Sequence, residues 1–269
     1  MIAPYFAPFA ARFQLTLQYR AAALAGFVTQ CWWGALKIMV LAAFYGDSDA
    51  PLSLPQTISY IWLVQGLLAL SYWSADPELI HGVRTGAIAH DRLRPVDTYW
   101  YWYARVAAWI MARAIPRLGL MVLMAGLALP ACGYAEWSLR PPASDASMLF
   151  LVAISIGALN SAAMLALVGA GVVATGNERG VGAFFGALVL LLSGNEIPLR
   201  LFPDWAHTFL ALQPFASILD APLRIYVGDL SGAAALRAIA LQVFWLVALV
   251  LLGRLATARS LAKLEVQGG

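Results

Sequence analysis

Long apolar stretches alternate with short polar segments along the chain. They predict six membrane-spanning helices, at about residues 21–45, 56–73, 115–134, 147–175, 181–193 and 232–252. Several of these stretches approach the roughly 20 residues that a helix needs to cross a hydrocarbon core about 30 Å thick. Glycine, proline and charged residues fill the segments between them, which we interpret as connections. The pattern therefore predicts an all-α, polytopic membrane protein.

Residues 1–20 differ from the stretches that follow. Phe9, Phe13 and Leu17 recur at one helical turn, whereas Arg12 lies elsewhere on the helix. This spacing predicts a short amphipathic helix on the membrane surface. The segment has no basic start followed by an apolar block, so we do not interpret it as a cleavable signal peptide.

Composition strengthens the membrane interpretation. Hydrophobic residues make up 62% of the 269 residues and charged residues only 12%, with a mean hydropathy of +0.76. A soluble domain of this composition would have too little polar surface to face water. No repeat or low-complexity run interrupts the pattern, so we expect residues 1–269 to form a single transmembrane domain. The two cysteines, Cys31 and Cys132, show neither a metal-binding nor a disulfide pattern.

The distribution of basic residues predicts an orientation. With both termini on one side of the membrane, that side carries twelve of the 17 lysines and arginines. The opposite side carries four, Arg140, Arg200, Arg224 and Arg237, and Lys37 lies inside the first span. Because an excess of Lys and Arg marks the cytoplasmic side, we expect both termini to be cytoplasmic.

The segment 76–97, between the second and third spans, is unusually charged for so apolar a chain. Asp76, Pro77 and Glu78 have the order of a capping residue, a first helical position and an acid near the positive end of the helix dipole. The helix that they predict carries an apolar patch of Leu79, Ile80 and Val83. Such a helix is suited to docking a cytoplasmic partner, although a merely solvated connection would also be charged.

A second segment, 194–231, combines prolines with spaced aromatic residues. Its prolines preclude one continuous helix: Pro198, Pro203, Pro214 and Pro222. Trp205, Phe209 and Phe215 belong to a series of apolar residues at three- and four-residue steps, which indicates helical pieces at the interface. We favour a re-entrant cap on the exterior side over an irregular surface loop.

Four polar residues within the spans or at their ends are candidates for a substrate route: Lys37, Gln65, Asn160 and Glu196. A lysine inside a span is costly unless it faces protein or water. Lys37 could snorkel to the outer headgroups, contact an anionic substrate or pair with an acid of a partner. Gln65 and Asn160 could equally bond between helices, and Glu196 could be an ordinary interfacial acid.

The sequence lacks the common patterns of hydrolytic and nucleotide-binding sites. It contains no HExxH, no GxSxG and no GxxxxGK[ST]. His81 and His90 are nine positions apart, which puts them on opposite helix faces, and no metal site is predicted. We therefore expect no catalytic residue, metal or cofactor in this chain, and we do not expect it to hydrolyse ATP itself.

Two motifs carry a resemblance to a known family: D-P-E-L-I-x-x-V-R-T-G, ending in R-P-V-D, within 76–97, and Ile-Pro-Leu, Phe-Pro-x-Trp and Gln-Pro-Phe within 194–231. In their order along the chain they resemble permease subunits of ABC-2-type ABC exporters, in particular six-span permeases found with a second, related permease. The resemblance implies that 76–97 is a coupling helix seated on a separate ATPase subunit, which binds ATP and Mg. It also implies that 194–231 caps the translocation route. The residues expected to contact the ATPase are Glu78, Leu79, Ile80, Val83, Arg84, Asp91, Arg92 and Arg94, with a smaller contact at Glu178 and Arg179.

We therefore expect a permease subunit of an ATP-driven exporter in a bacterial inner membrane. Its expected partners are ABC ATPase subunits, a second permease (an identical copy or a paralogue) and membrane lipid, but no nucleic acid. The alternative is a membrane-embedded enzyme or an ion-conducting pore that needs no ATPase. Lys37, Gln65 and Asn160 would then line its site.

Overall fold

Helices make up the regular structure of the computed structural model, which describes residues 3–45, 50–71, 74–142 and 144–262. No strand occurs within those ranges. The α-helices are Ala3–Leu17 (α1), Arg20–Ala42 (α2), Leu54–Gly66 (α3), Pro77–Thr85 (α4), Ile88–Arg92 (α5), Thr98–Met121 (α6), Leu129–Ala131 (α7), Ser144–Thr175 (α8), Glu178–Leu192 (α9), Asp204–Leu212 (α10), Asp220–Tyr226 (α11) and Gly232–Ala262 (α12). The predicted all-α class is confirmed.

Four of the described helices are long and apolar enough to cross a membrane. They are α2, the continuous helix Thr98–Ala131 that contains α6 and α7, the stretch Ala146–Thr175 of α8, and α12. These helices correspond to the first, third, fourth and sixth predicted spans. The last of them continues about ten residues beyond its predicted end.

The helices at the second and fifth predicted spans are too short to count as spans by length: the second is shorter than predicted, and the fifth is slightly longer than its predicted 13 residues. α3 has 13 residues and α9 has 15, or about 20 and 22 Å at 1.5 Å per residue. A 3₁₀ turn, Leu68–Leu70, extends α3 toward the charged segment. Trp73, at the predicted end of the second span, lies outside the described residues. Helix length alone therefore supports four spans and not six.

The predicted boundary at Ile115 is not a helix boundary. α6 begins at Thr98, where the Asp97 carboxylate accepts a hydrogen bond from the backbone N–H of Trp100 at 3.1 Å. The helix then continues through a π-helical stretch, Val122–Ala128, into α7. The aromatic and basic residues of its first half obscure the helix in the sequence, because hydropathy cannot distinguish a polar helical extension from a loop.

The core of the molecule lies around α8, which contacts α12, α6 and α11. Hydrogen bonds between α8 and α12 run in both directions. Asn160 Nδ2 donates to the Gln242 carbonyl at 3.0 Å, and Gln242 Nε2 donates to the Ala153 carbonyl at 3.0 Å. Gly157 allows the 194–231 segment to approach α8, because a Cβ there would lie 2.6 Å from the Ile218 carbonyl oxygen. α8 therefore joins both α12 and the 194–231 segment to the core.

The prediction of short helices in 194–231 is confirmed. The segment forms a 3₁₀ turn at Leu199–Leu201, then α10, a second 3₁₀ turn at Pro214–Ser217, and α11. Pro198 and Pro203 immediately precede the first two pieces, and Pro214 begins the third. Each proline thus lies where its missing N–H is least costly to a helix.

Candidate functional site

The charged segment 76–97 forms two short helices at one end of the bundle. α4 begins as the sequence predicts: the Asp76 side chain accepts a hydrogen bond from the Glu78 N–H at 3.1 Å, and Pro77 occupies the first helical position. Gly86, with a φ of 73°, ends α4 in the left-handed conformation that favours glycine. α5 then folds back, and Ile88 lies close to Gly82. We call residues 77–94, which contain α4 and α5, the platform.

The apolar patch of α4 faces the protein's own helices and not outward. Leu79 is buried in a cluster with Ile88, Trp102 and Leu261, and Val83 packs against the same cluster. Ile80 packs against the main core. These residues therefore anchor the platform to the bundle, which is a different use from the direct ATPase contact expected of them.

Ion pairs fix the platform to α1 and α6. Arg12 of α1 pairs with Asp76 at 3.1 Å and also with Glu78, and Arg105 of α6 pairs with the same Glu78. Burial raises the pKa of Asp76 above its ordinary value, while the Arg12 guanidinium opposes that rise. Glu78, predicted as an ATPase contact, is thus engaged by two arginines of its own chain.

Further pairs connect the other predicted contact residues. Arg84 of α4 pairs with Glu178 at the start of α9, which joins the two regions that the sequence assigned to one partner. Asp91 pairs with Arg94 at 3.2 Å and accepts a hydrogen bond from Trp102 Nε1 at 3.0 Å. Arg179 is exposed. The side chain of Arg92 lies outside the described part of the structure.

The outer surface of the platform is exposed, although Arg84 pairs with Glu178 of α9 and Arg94 stacks over the Tyr101 ring of α6. It is formed by His81, Arg84, Thr85, Ala87, His90, Leu93 and Arg94, all of which are exposed. Leu93 is 82% exposed, an extreme value for an aliphatic side chain beside charged residues. A cavity of about 530 Å³ lies beside this surface and is lined by both histidines and by Arg94. An apolar tip on a rigid, basic surface is suited to insertion into a partner's groove.

Three of the four candidate route residues meet at the other end of the bundle. Lys37 Nζ lies 2.9 Å from a carboxylate oxygen of Glu196 and donates to the Asn195 carbonyl at 3.1 Å. Gln65 lines the same cavity, of about 600 Å³, together with Trp33. The acid that pairs with Lys37 therefore belongs to this chain, and the lysine side chain points to Glu196 and Asn195. Its pairing was not predictable because the partner is far away in sequence.

Asn160 does not belong to that cavity. It is completely buried and bonds to α12, so the structure gives it the helix-bonding role that the sequence left open.

The aromatic residues of 194–231 divide between two environments. Trp205 and Phe209 of α10 are 85% and 63% exposed, whereas Phe215 is buried in the core. One face of α10 is therefore apolar and uncovered, as expected of a helix at a membrane interface.

A buried ionic cluster in this segment was missed by sequence reasoning. Asp220 is buried and accepts hydrogen bonds from the Tyr60 hydroxyl at 2.9 Å and from the Leu199 N–H at 3.0 Å. Arg224 lies 3.6 Å from the same carboxylate and 2.5 Å from Asp229. Burial raises the pKa of Asp220 above its ordinary value, and Arg224 opposes the rise. The i,i+4 spacing of Asp220 and Arg224 in the sequence could have indicated this ion pair.

The fold and these sites define a multi-pass helical membrane protein with a charged platform at one end and the short helices of 194–231 at the other. A comparison with protein-family profiles matches residues 52–268 to a family described as ABC-2 family transporter protein. The chain belongs to this family, since the match covers most of its length. Comparisons with curated proteins and with solved structures gave no significant match.

Proposed function

We propose that the chain is the permease subunit of an ATP-driven ABC exporter and that its platform docks a separate ATPase subunit, which holds ATP and Mg. The observation that carries the proposal is the construction of the platform. Its inner face is fixed to α1, α6 and α9 by apolar packing and ion pairs, while Leu93 and the basic side chains around it face outward. A surface attached in this way to three helices could pass a displacement on to them.

The orientation follows from the two ends of the bundle. Arg12, Arg84, Arg105 and Arg254 are joined by contacts at the end that carries the platform. Arg140, Arg200 and Arg224 belong to the opposite end, around 194–231. Together with the excess of twelve basic residues over four in the sequence, the positive-inside rule supports a cytoplasmic platform end, with both termini on that side. In this proposal the protein lies in a bacterial inner membrane with 194–231 outside.

Six spans fit this orientation better than four. α4 and the start of α9 are joined by Arg84 and Glu178, and α9 ends at Ser193, whose carbonyl accepts from the Asp220 N–H at 3.0 Å in the exterior segment. α9 therefore runs from the platform end to the opposite end. α3 does the same in reverse, since Tyr60 contacts Asp220 and the chain then leads to Asp76. Short spans of this kind are accommodated by local thinning of the bilayer.

Coupling follows from these attachments. Closure of the ATPase would push the platform, and the salt bridges of Glu78 and Arg84 would pass that displacement to α1, α6 and α9. The route would open between this chain and a second permease, beneath the cap formed by 194–231. α2 offers an uncovered face to such a partner, with Val28 and Trp32 65% and 70% exposed. Lys37, Gln65 and Glu196 would line the exterior part of the route.

The experiment is co-purification of the tagged chain from its native host in mild detergent, with bound proteins identified by mass spectrometry. We expect an ATP-binding protein encoded by another gene, together with a second permease. ATP hydrolysis in the purified assembly should disappear when that subunit's nucleotide site is inactivated. An active homo-oligomer with no ATPase bound would instead support the membrane enzyme or the pore.

A further inference from the structure

A basic cavity lies between the junction of α1 with α2 and the middle of α6. It measures about 660 Å³, and its described lining includes three arginines: Arg20, Arg113 and Arg117. The remaining lining is mostly apolar, with Leu24 and Pro116 among its members, and Tyr19 stands at its edge, 67% exposed. No carboxylate among the described residues lies within ion-pairing distance of these three arginines or lines the cavity.

Two of the three arginines, Arg113 and Arg117, are held by contacts although no carboxylate among the described residues pairs with them. Arg113 stacks over the ring of Trp109, with its guanidinium carbon 4.5 Å from the ring centre. Arg117 lies against α2, because a Cβ on Gly26 would come within 2.9 Å of its terminal nitrogen. The Arg117 Nε is buried and has no hydrogen-bond partner among the described atoms. A buried donor without a partner is costly, so the cavity is suited to a ligand that brings acceptor oxygens.

The position of the cavity matches the boundary between hydrocarbon and headgroups. About 20 helical residues cross the hydrocarbon core, and counting that number back from the end of α7 at Ala131 reaches the neighbourhood of Arg113. α2 has 23 residues and begins at Arg20, at the same level. Arg20 and Arg113 thus lie at headgroup depth, and Arg117 lies four residues, or about 6 Å, deeper along α6, beside an apolar surface.

We propose that this cavity binds the headgroup phosphate of an anionic phospholipid in the leaflet at the platform end. The guanidinium groups supply charge-assisted hydrogen bonds to the phosphate oxygens, and the acyl chains lie along the apolar lining formed by Leu24, Pro116 and Leu120. A soluble phosphate would satisfy the arginines but would leave that apolar lining without an occupant. The inference goes beyond the proposed function and does not require an ATPase; only the naming of the leaflet as cytoplasmic rests on the proposed orientation.

The test is native mass spectrometry of the purified chain in detergent, with equal amounts of phosphatidylglycerol and phosphatidylcholine of identical acyl chains. We expect preferential retention of phosphatidylglycerol, and a loss of about fivefold in that preference for each of Arg113→Gln and Arg117→Gln. Arg259→Gln removes an exposed arginine of α12 outside the cavity and should leave the preference unchanged.

Two further measurements test the same proposal, one with a Gly26→Ala variant and one with inorganic phosphate as a competitor. Gly26→Ala leaves every charge in place but displaces the Arg117 guanidinium, so it should also reduce the preference. An excess of inorganic phosphate should not displace the lipid. The proposal is overturned by equal retention in the cavity variants, by an equal loss in Arg259→Gln, or by displacement with free phosphate.

Discussion

Replacing Asp220 with alanine is expected to lower the free energy of unfolding by about 3 kcal/mol, near the lower end of the cost of breaking a buried ion pair. The Leu199 N–H would lose its acceptor and Arg224 would lose one of its two acids. The loss should not be larger, because Arg224 keeps Asp229 and the Tyr60 hydroxyl keeps the Gly194 carbonyl at 3.2 Å. Denaturation in detergent, followed by tryptophan fluorescence, measures the difference.

Asp204→Ala is the matched control for this substitution. Asp204 lies in the same segment, 194–231, but its side chain is fully exposed, and the ion pair that it makes with His207 at 3.4 Å is therefore weak. Removing it should change the free energy of unfolding by less than about 0.5 kcal/mol, as for most surface substitutions. Equal effects of the two substitutions would mean that the buried cluster does not hold 194–231 onto α3.

Replacing Leu93 with aspartate is expected to weaken association with the ATPase subunit by about 30-fold or more, the effect of losing a central apolar contact. Leu93 is exposed, so the substitution should leave folding and membrane insertion unchanged. Titration of the purified permease with the purified ATPase subunit measures the affinity. Leu93→Met preserves an apolar side chain of similar size and should preserve binding; a Leu93→Asp protein that binds normally would remove Leu93 from the docking surface.

Local chemistry made parts of this structure predictable. The beginning of α4 follows from Asp76 and Pro77, because a cap and a first-position proline act within one helical turn. The short pieces of 194–231 follow from prolines in the same way. The four long helices follow from apolar runs of the length that a membrane span requires, except for the first half of α6.

Contacts between distant segments were not predictable. The patch of Leu79 and Val83 was expected to contact a partner. An amphipathic helix at a surface can, however, turn its apolar side toward a partner or toward its own bundle, and here it faces the bundle. Lys37 with Glu196, and Asp220 with Tyr60, are pairs that only the assembled bundle brings together. The sequence therefore located the charged segment but could not say which of its residues face outward.

The most direct measurement is photo-crosslinking in intact cells with a photoreactive amino acid at position 93. We expect a single adduct between this chain and an ATP-binding protein of another gene, and no such adduct when the same group replaces Trp205 at the opposite end. An ATPase adduct formed from position 205 instead, or none from position 93 in cells where the transporter is active, would contradict docking at the platform.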